Sequence, residues 1–458
     1  MSATFLTESS INTILMTTSI HRPKWQLNND PACQFKWTWS TLFLNFGTTS
    51  SCHRCKHWKL TVENFMDFHN LPGKISDREK MVKGQWPGNG CEYCKVVEDA
   101  GGISERIGYI NDLEMVPPEN EIDPTETHVT PRLLEVYFSN LCNMSCTYCS
   151  AKFSSVIQHE NQKFGEFTKN GLEIYEWPDN PEYEVMRDMF WDWMDLHGQE
   201  LFTLHVLGGE PLFQPEFEMF LDWFDKNPCP NLEWVIFSNL KHNTIRLVSQ
   251  VERIKELIAK GKLKGFQVNV SIDNFGKEAE YARHGIIWDQ FVDNFTFLAQ
   301  EKWIGMQVQS TICPITVQSM WQLYDFILNF EDPRINLSWN TIQDPKWFNP
   351  SRFGTYCLDG IDKLIERLNQ SPFSQHHNIP YLLGIRNQIS KARCDSYEMI
   401  RFKTHLDELD VRRGLKWRQL YPDLSEHIEK NITTDDIIFQ ELKIMGAPTG
   451  DQEVKNAT

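Results

Sequence analysis

The sequence predicts an α/β protein with a parallel sheet at its centre. Two observations point there. Between residues 131 and 345, six apolar runs alternate with longer amphipathic segments, and strands alternating with helices imply parallel pairing. Ahead of that region lie five cysteines among many Gly and Asn, and behind it the pattern turns helical with Pro and Gly breaks. A chain of 458 residues also exceeds one compact core of ordinary size, so two or three domains are expected.

The elements follow in order. Residues 1–30 are polar and irregular, and residues 31–114 form the cysteine-rich segment. Residues 115–130, within "MVPPENEIDPTETHVTP", are rich in Pro and acid and read as a linker. "LLEVYFS" (133–139) reads as a first buried strand, "EVMRDMFWDWMDLH" (184–197) as a helix and "LFTLHVLGG" (201–209) as a strand. "PEFEMFLDWFDK" is a helix, "LEWVIFSN" (232–239) a strand, "TIRLVSQVERIKELIAKGK" a helix and "GFQVNVSID" (265–273) a strand. "IIWDQFVDNFTFLAQE" is a helix, "MQVQSTIC" (306–313) a strand, "VQSMWQLYDFILNF" a helix and "INLSWNTI" (335–342) a strand. Six such units are fewer than the eight of a full barrel, so a partial barrel and an open sheet both fit. Either form gathers functional residues at the C-terminal ends of its strands. Residues 346–444 read as a helical region, in which "LDELDVRRG" has charges of both signs, the usual mark of a solvated face. The tail 445–458 reads as disordered.

Composition narrows the function classes. Apolar content is 41% and charged content 23%, which is ordinary for a globular protein, and 16 Trp with 29 Phe supply bulky core material. The net charge of -17 argues against non-specific nucleic-acid binding, which needs a basic surface to displace counterions. No stretch reaches the roughly 20 apolar residues of a membrane span. The N-terminal residues lack a basic region followed by an apolar core, so no secretory signal is expected and the location is expected to be cytoplasmic. There, twelve cysteines are not expected to form disulfides.

Three of those cysteines sit inside "SNLCNMSCTYCS": Cys142, Cys146 and Cys149, directly after the first strand. Three thiolates alone leave a tetrahedral structural zinc site incomplete. They can instead hold three irons of a [4Fe–4S] cluster and leave the fourth open. The bland alternatives are buried core cysteines, or a zinc site borrowing a ligand from elsewhere. The spacing, with aromatic Tyr148 before the last cysteine, resembles the radical S-adenosylmethionine superfamily over about residues 131–345. That resemblance implies a partial (β/α)6 barrel with Cys142, Cys146 and Cys149 as cluster ligands. It also implies S-adenosylmethionine on the open iron, cleaved to a 5′-deoxyadenosyl radical.

Further residues are assigned by the same resemblance. "LGGEP" ends the second strand, so Gly208, Gly209, Glu210 and Pro211 are expected at the methionine amino group. Ser238, Asn239, Ser271 and Asp273 end the next two strands and are candidates for the ribose or carboxylate, although Ser and Asn there also cap helices. Arg283, in "YARHG", is the candidate for the cofactor carboxylate, against a plain salt bridge. Gln309 on the fifth strand is a weaker candidate for the adenosine.

In the cysteine-rich segment, four thiolates in two pairs suit a closed zinc site or a second iron–sulfur cluster. The Cys–Gly–Cys spacing is similar to the auxiliary-cluster region of SPASM and twitch radical S-adenosylmethionine proteins, over about residues 30–111, although those modules usually follow the barrel. Cys33, Cys52, Cys91 and Cys94 are taken as the ligands, with Cys55 a substitute if Cys33 is too distant. Cys229, Cys313, Cys357 and Cys394 are isolated and read as core. The implied function is hydrogen abstraction from a peptide or protein, with an external one-electron donor such as flavodoxin or ferredoxin. Modification of a small metabolite or nucleic acid, and a non-catalytic zinc-binding adaptor, are the alternatives.

Overall fold

The structure is a computed structural model that describes residues 31–99, 104, 106–107, 125–165, 180–373 and 379–433. The expected irregular residues 1–30, linker residues 115–124 and the tail 445–458 lie outside the described residues. The strands are β1 (Trp39–Phe43), β2 (Thr48–Ser50), β3 (Trp58–Lys59), β4 (Leu133–Tyr137), β5 (Thr203–Leu207), β6 (Cys229–Ser238), β7 (Leu263–Ser271), β8 (Gly305–Ile312) and β9 (Ile335–Thr341). The fold is α/β, with these nine strands in one mostly parallel sheet of order β3-β2-β1-β4-β5-β6-β7-β8-β9. The chain divides into two compact units: Met1–Glu135 with Pro181–Leu204, and Val136–Asn180 with His205–Thr458. The helical region that the sequence sets apart from residue 346 belongs to the second unit.

In the first unit, β1, β2 and β3 form an antiparallel meander, with Thr41 opposite Ser50 and Thr48 opposite Lys59. The sequence predicts no strand here, because elements of five, three and two residues are too short to display a period. Helix Pro72–Val82 starts on a proline, whose missing N–H costs nothing in a first turn. It turns Lys74, Asp77, Arg78 and Met81 inward. The Lys74 amine donates to Ser40 Oγ at 2.9 Å, Thr49 Oγ1 at 2.8 Å and the Ser50 carbonyl at 3.0 Å. Helix Tyr183–His197 buries Met186, Phe190, Trp193 and Met194, and Trp193 packs on Phe68 with ring centroids 4.9 Å apart.

In the second unit, β6 to β9 pair in parallel, with Val235 opposite Gln267, Val268 opposite Met306 and Val308 opposite Leu337. The period of two is visible in β8: Met306, Val308, Ser310 and Ile312 are buried, and the residues between them are half-buried. Connecting helices at Glu216–Lys226, Thr244–Ala259, Trp288–Gln300 and Met320–Leu328 lie where the amphipathic segments predicted them.

Helix Ser396–Arg413 opens on an Asp395 side chain that accepts from the Glu398 N–H. Its Met399, Phe402, Leu406 and Leu409, spaced three and four apart, join a core with Phe348, Phe353 and Trp417. The solvated-face reading of "LDELDVRRG" is therefore corrected. Leu406 and Leu409 are buried, Arg412 pairs with Glu408 at 2.9 Å, and Arg413 pairs with Glu160 at 2.8 Å. Among the isolated cysteines, Cys229, Cys313 and Cys357 are buried as expected, but Cys394 is exposed, with its sulfur 3.8 Å from His427 Nε2. Among the described residues, no helix is long and apolar enough to cross a membrane.

The Phe402 ring is fully buried and meets Phe348 and Phe353 edge-on at 5.0 Å each. Phe402→Ala should therefore destabilise the second unit by about 3–5 kcal/mol, read as a lower urea midpoint. An unchanged midpoint would show that this cluster is not a core.

Candidate functional site

Cys142, Cys146 and Cys149 line one cavity of about 610 Å³ in the second unit. The loop that carries them is held from several directions. Ser154 Oγ donates to the Met144 carbonyl at 2.6 Å, and Ser155 Oγ both accepts from the Cys142 N–H and donates to the Cys142 carbonyl, at 3.2 Å each. The Ser145 and Thr147 N–H groups donate to the His284 and Ala282 carbonyls at 2.8 and 2.9 Å. His405 Nε2 meets the Thr147 carbonyl at 2.7 Å, and burial lowers the pKa of this histidine to about 4. Asn143 and Lys241 exchange bonds: the Asn143 amide donates to the Lys241 carbonyl at 2.6 Å, and the Lys241 amine donates back to the Asn143 carbonyl at 2.9 Å.

The Gly-Gly-Glu turn after β5 presses on the same loop. A Cβ at Gly209, where φ is +42°, would stand 2.1 Å from the Leu141 carbonyl oxygen, so only glycine permits this approach. The next N–H, of Glu210, donates to that oxygen at 2.9 Å. Glu210 is itself buried. Its carboxylate accepts from Ser238 Oγ at 2.7 Å, the Asn239 N–H at 2.7 Å and the Leu212 N–H at 3.2 Å. Burial outweighs these bonds and raises its pKa to about 7.

A second buried carboxylate, Asp273, follows β7. Arg283 donates to it through two parallel bonds, at 2.9 and 3.0 Å, and the Thr311 N–H adds a third at 2.7 Å. The Tyr148 hydroxyl donates to it as well. Burial works against the Arg283 charge, but Asp273 overrides it and holds the guanidinium well above its ordinary pKa. Burial pushes Cys142 up to about 12, with help from Cys146 and Glu210, and raises Cys146 and Cys149 too. A metal binding here must displace the thiol protons.

The structure brings Tyr148, Gly209, Glu210, Asn239, Ser271 and Arg283 onto the cavity wall with the three cysteines. Gly208, Pro211, Ser238, Asp273 and Gln309 do not reach that wall. Ser238 and Asp273 support it from behind, through Glu210 and Arg283. Gln309 lies opposite Ser271 in the β7–β8 register, and its carbonyl accepts from the Ile272 N–H at 3.2 Å. Arg283 directs its fork at Asp273, the salt bridge that the sequence offered as its alternative. Sequence reasoning missed Lys152, Asp344, Trp347 and His405, which also line the cavity. Burial lowers the Lys152 amine to about 8, against the opposing pull of Asp344. The signals for the first two were position: Lys152 follows the last cysteine by three residues, and Asp344 follows β9. Trp347 and His405 come from the region that the sequence left uninterpreted.

In the first unit, Cys33, Cys52, Cys55, Cys91 and Cys94 all line one small cavity. Cys55 sits among the donors. Cys52 Sγ is 3.5 Å away, the Cys91 thiol hydrogen-bonds to it, and Lys36 Nζ donates at 3.2 Å. Those contacts lower the Cys55 pKa, the Cys52 thiol most of all, while Cys52 and Cys91 are raised as the donors. The signal for Cys55 was a second Cys-x-x-Cys, at 52–55, matching that at 91–94. Among the described residues, no three His, Cys, Asp or Glu side chains are gathered about a single-ion position.

No family model matches the sequence, and no curated protein matches it.

Two outcomes follow from the turn after β5. Gly209→Ala combines a left-handed φ with a backbone clash and should destabilise the second unit by about 1–3 kcal/mol in thermal or urea unfolding. A neutral result would show that the turn is free to shift. Glu210 has a folded pKa of about 7 against an ordinary value of 4.5, so between those values the native state binds a proton that the unfolded chain has released. Its contribution is full below about pH 4.5 and is lost as pH rises through about 7. Glu210→Gln should flatten that decline in unfolding midpoints measured from pH 4.5 to 8, and an unaltered slope would show that Glu210 does not cause it.

Proposed function

We propose that the chain is a radical S-adenosylmethionine enzyme, with β4 to β9 and their helices as a partial (β/α)6 barrel. One observation carries this reading. Cys142, Cys146 and Cys149 share a cavity with Gly209, Glu210, Asn239, Ser271 and Arg283, the residues at or beyond the ends of later strands. The donor chemistry fits a [4Fe–4S] cluster, because three thiols and no fourth cysteine stand on that wall. When bound, such a cluster supplies one-electron cleavage of the sulfonium of S-adenosylmethionine, giving a deoxyadenosyl radical that takes hydrogen from a substrate.

The residues divide the remaining work. Cys142, Cys146 and Cys149 would hold three irons and leave the fourth to the methionine end of the cofactor. Asn239, whose amide donates to Asn143 at 3.1 Å, fixes the cysteine loop to the end of β6. Arg283, pinned by two bonds to Asp273, would offer its remaining guanidinium N–H groups on the cavity wall to an anionic ligand. Tyr148, Phe153, Phe237 and Trp347 are apolar surface that excludes water from the reacting groups. Lys152 can accept or release a proton at Nζ near neutral pH.

A peptide or protein substrate is favoured by the cysteine cavity in the first unit, read as a second, auxiliary iron–sulfur centre. A cytoplasmic flavodoxin or ferredoxin suits the supply of single electrons. A non-catalytic zinc adaptor is separated by metal analysis: iron with sulfide supports the enzyme, and zinc without iron supports the adaptor. Cys146→Ala should abolish reductive cleavage of S-adenosylmethionine by anaerobically reconstituted protein, assayed as 5′-deoxyadenosine formed. Full retained cleavage would refute the assignment.

A further inference from the structure

The five cysteines of the first unit are not equivalent. Cys52 and Cys55 close a turn, with the Cys55 N–H donating to the Cys52 carbonyl at 3.2 Å. Cys91 and Cys94 begin helix Glu92–Asp99, where the Tyr93 N–H reaches back to the Gly90 carbonyl at 3.3 Å. These two Cys-x-x-Cys turns touch at one place. Gly90 has φ +90°, and a Cβ there would stand 2.3 Å from the Arg54 carbonyl oxygen and 3.0 Å from Cys55 Cα. A side chain at position 90 would push the turns apart. Alongside, the Lys56 N–H donates to the Asn89 carbonyl at 3.3 Å.

Cys33 belongs to neither turn. It lies within an apolar cluster with Phe35, Trp37, Trp39, Met81 and Leu133, against which Cys52 and Cys91 also pack, and such packing is ordinary for a small hydrophobic thiol.

Lys36 is the second observation. Its side chain is 2% exposed, and its ammonium lies between Cys55 Sγ at 3.2 Å and Asp77 at 2.7 Å. A buried cation needs an anion. Asp77 is one, and the sulfur at 3.2 Å becomes another once it is a metal thiolate.

We propose that Cys52, Cys55, Cys91 and Cys94 are the ligands of a metal–thiolate centre in the first unit, that Cys33 is a packing residue, and that Lys36 is the buried counter-charge of that centre. This rests on reading the first unit as a metal-binding module. On binding, each ligand thiol gives its proton to solvent, and the accumulated negative charge is offset by the ammonium at Cys55. Lys36 acts through Cys55 and is a positioning residue.

The test uses the full chain with Cys142, Cys146 and Cys149 all changed to Ala, so that only first-unit metal is read. Iron, zinc and acid-labile sulfide are measured after anaerobic purification and after a graded chelator challenge, with thermal melts to confirm folding. The parent should hold metal, Cys55→Ser should lose most of it, and Cys33→Ser should keep it. Lys36→Met should surrender metal at several-fold lower chelator than the parent, and Lys36→Arg should stay near the parent. Asp77→Asn, which removes the competing anion, should hold metal at least as tightly as the parent, opposite to a purely structural role. Loss of metal in Cys33→Ser equal to that in Cys55→Ser overturns the ligand set. Parent-like resistance in Lys36→Met, or weakened retention in a folded Asp77→Asn, overturns the counter-charge. A parent free of both iron and zinc refutes the metal-module reading itself.

Discussion

The second unit turns on one buried carboxylate. Asp273 is fully enclosed, yet it takes two bonds from Arg283, one from the Thr311 N–H and one from Tyr148. These donors come from the segment after β7, the end of β8 and the cysteine loop. An unpaired charge at that depth would be strongly destabilising, so the donors must arrive together. Their arrival fixes where Tyr148 stands, and Tyr148 lies between Cys146 and Cys149. The spacing of the thiols is thus tied to the ends of two strands through a single side chain.

Much of this arrangement is legible in the sequence. The strand–helix alternation is regular because each strand from β6 to β9 needs apolar residues to bury and each connecting helix needs an apolar stripe. Chemistry-bearing residues follow the strand ends, so Glu210, Asn239 and Ser271 could be named from that position together with the family resemblance. Direction was less legible than position. Ser238 and Asp273 sit at the expected points but turn away from the cavity to hold Glu210 and Arg283. A sequence gives no means of telling a wall residue from the residue bracing it. The β1–β3 meander was invisible for a different reason, since no period shows within elements of five residues or fewer.

The two cysteine regions solve opposite electrostatic problems. In the second unit, burial leaves all three thiols harder to ionise, with Arg283 opposing this at Cys146 and Cys149. In the first unit, three donors converge on Cys55 and favour its thiolate before any ligand arrives. Spacing offered Cys33 as a ligand and Cys55 as its substitute, because spacing counts thiols without reporting which of them has company. Five cysteines at one small cavity are better distinguished by their neighbours than by their intervals.

Helix Ser396–Arg413 reaches the cysteine loop and the helix that follows it. His405 touches the Thr147 carbonyl, and Arg413 grips Glu160, on the helix that follows the loop. The helix acts as a back brace for residues roughly 250 positions earlier. Any fragment that keeps this brace on the thiols must therefore extend at least through residue 413, well past the last parallel strand. Trimming the chain to its strand–helix repeats would preserve every residue of the signature and yet let the loop that bears them sag.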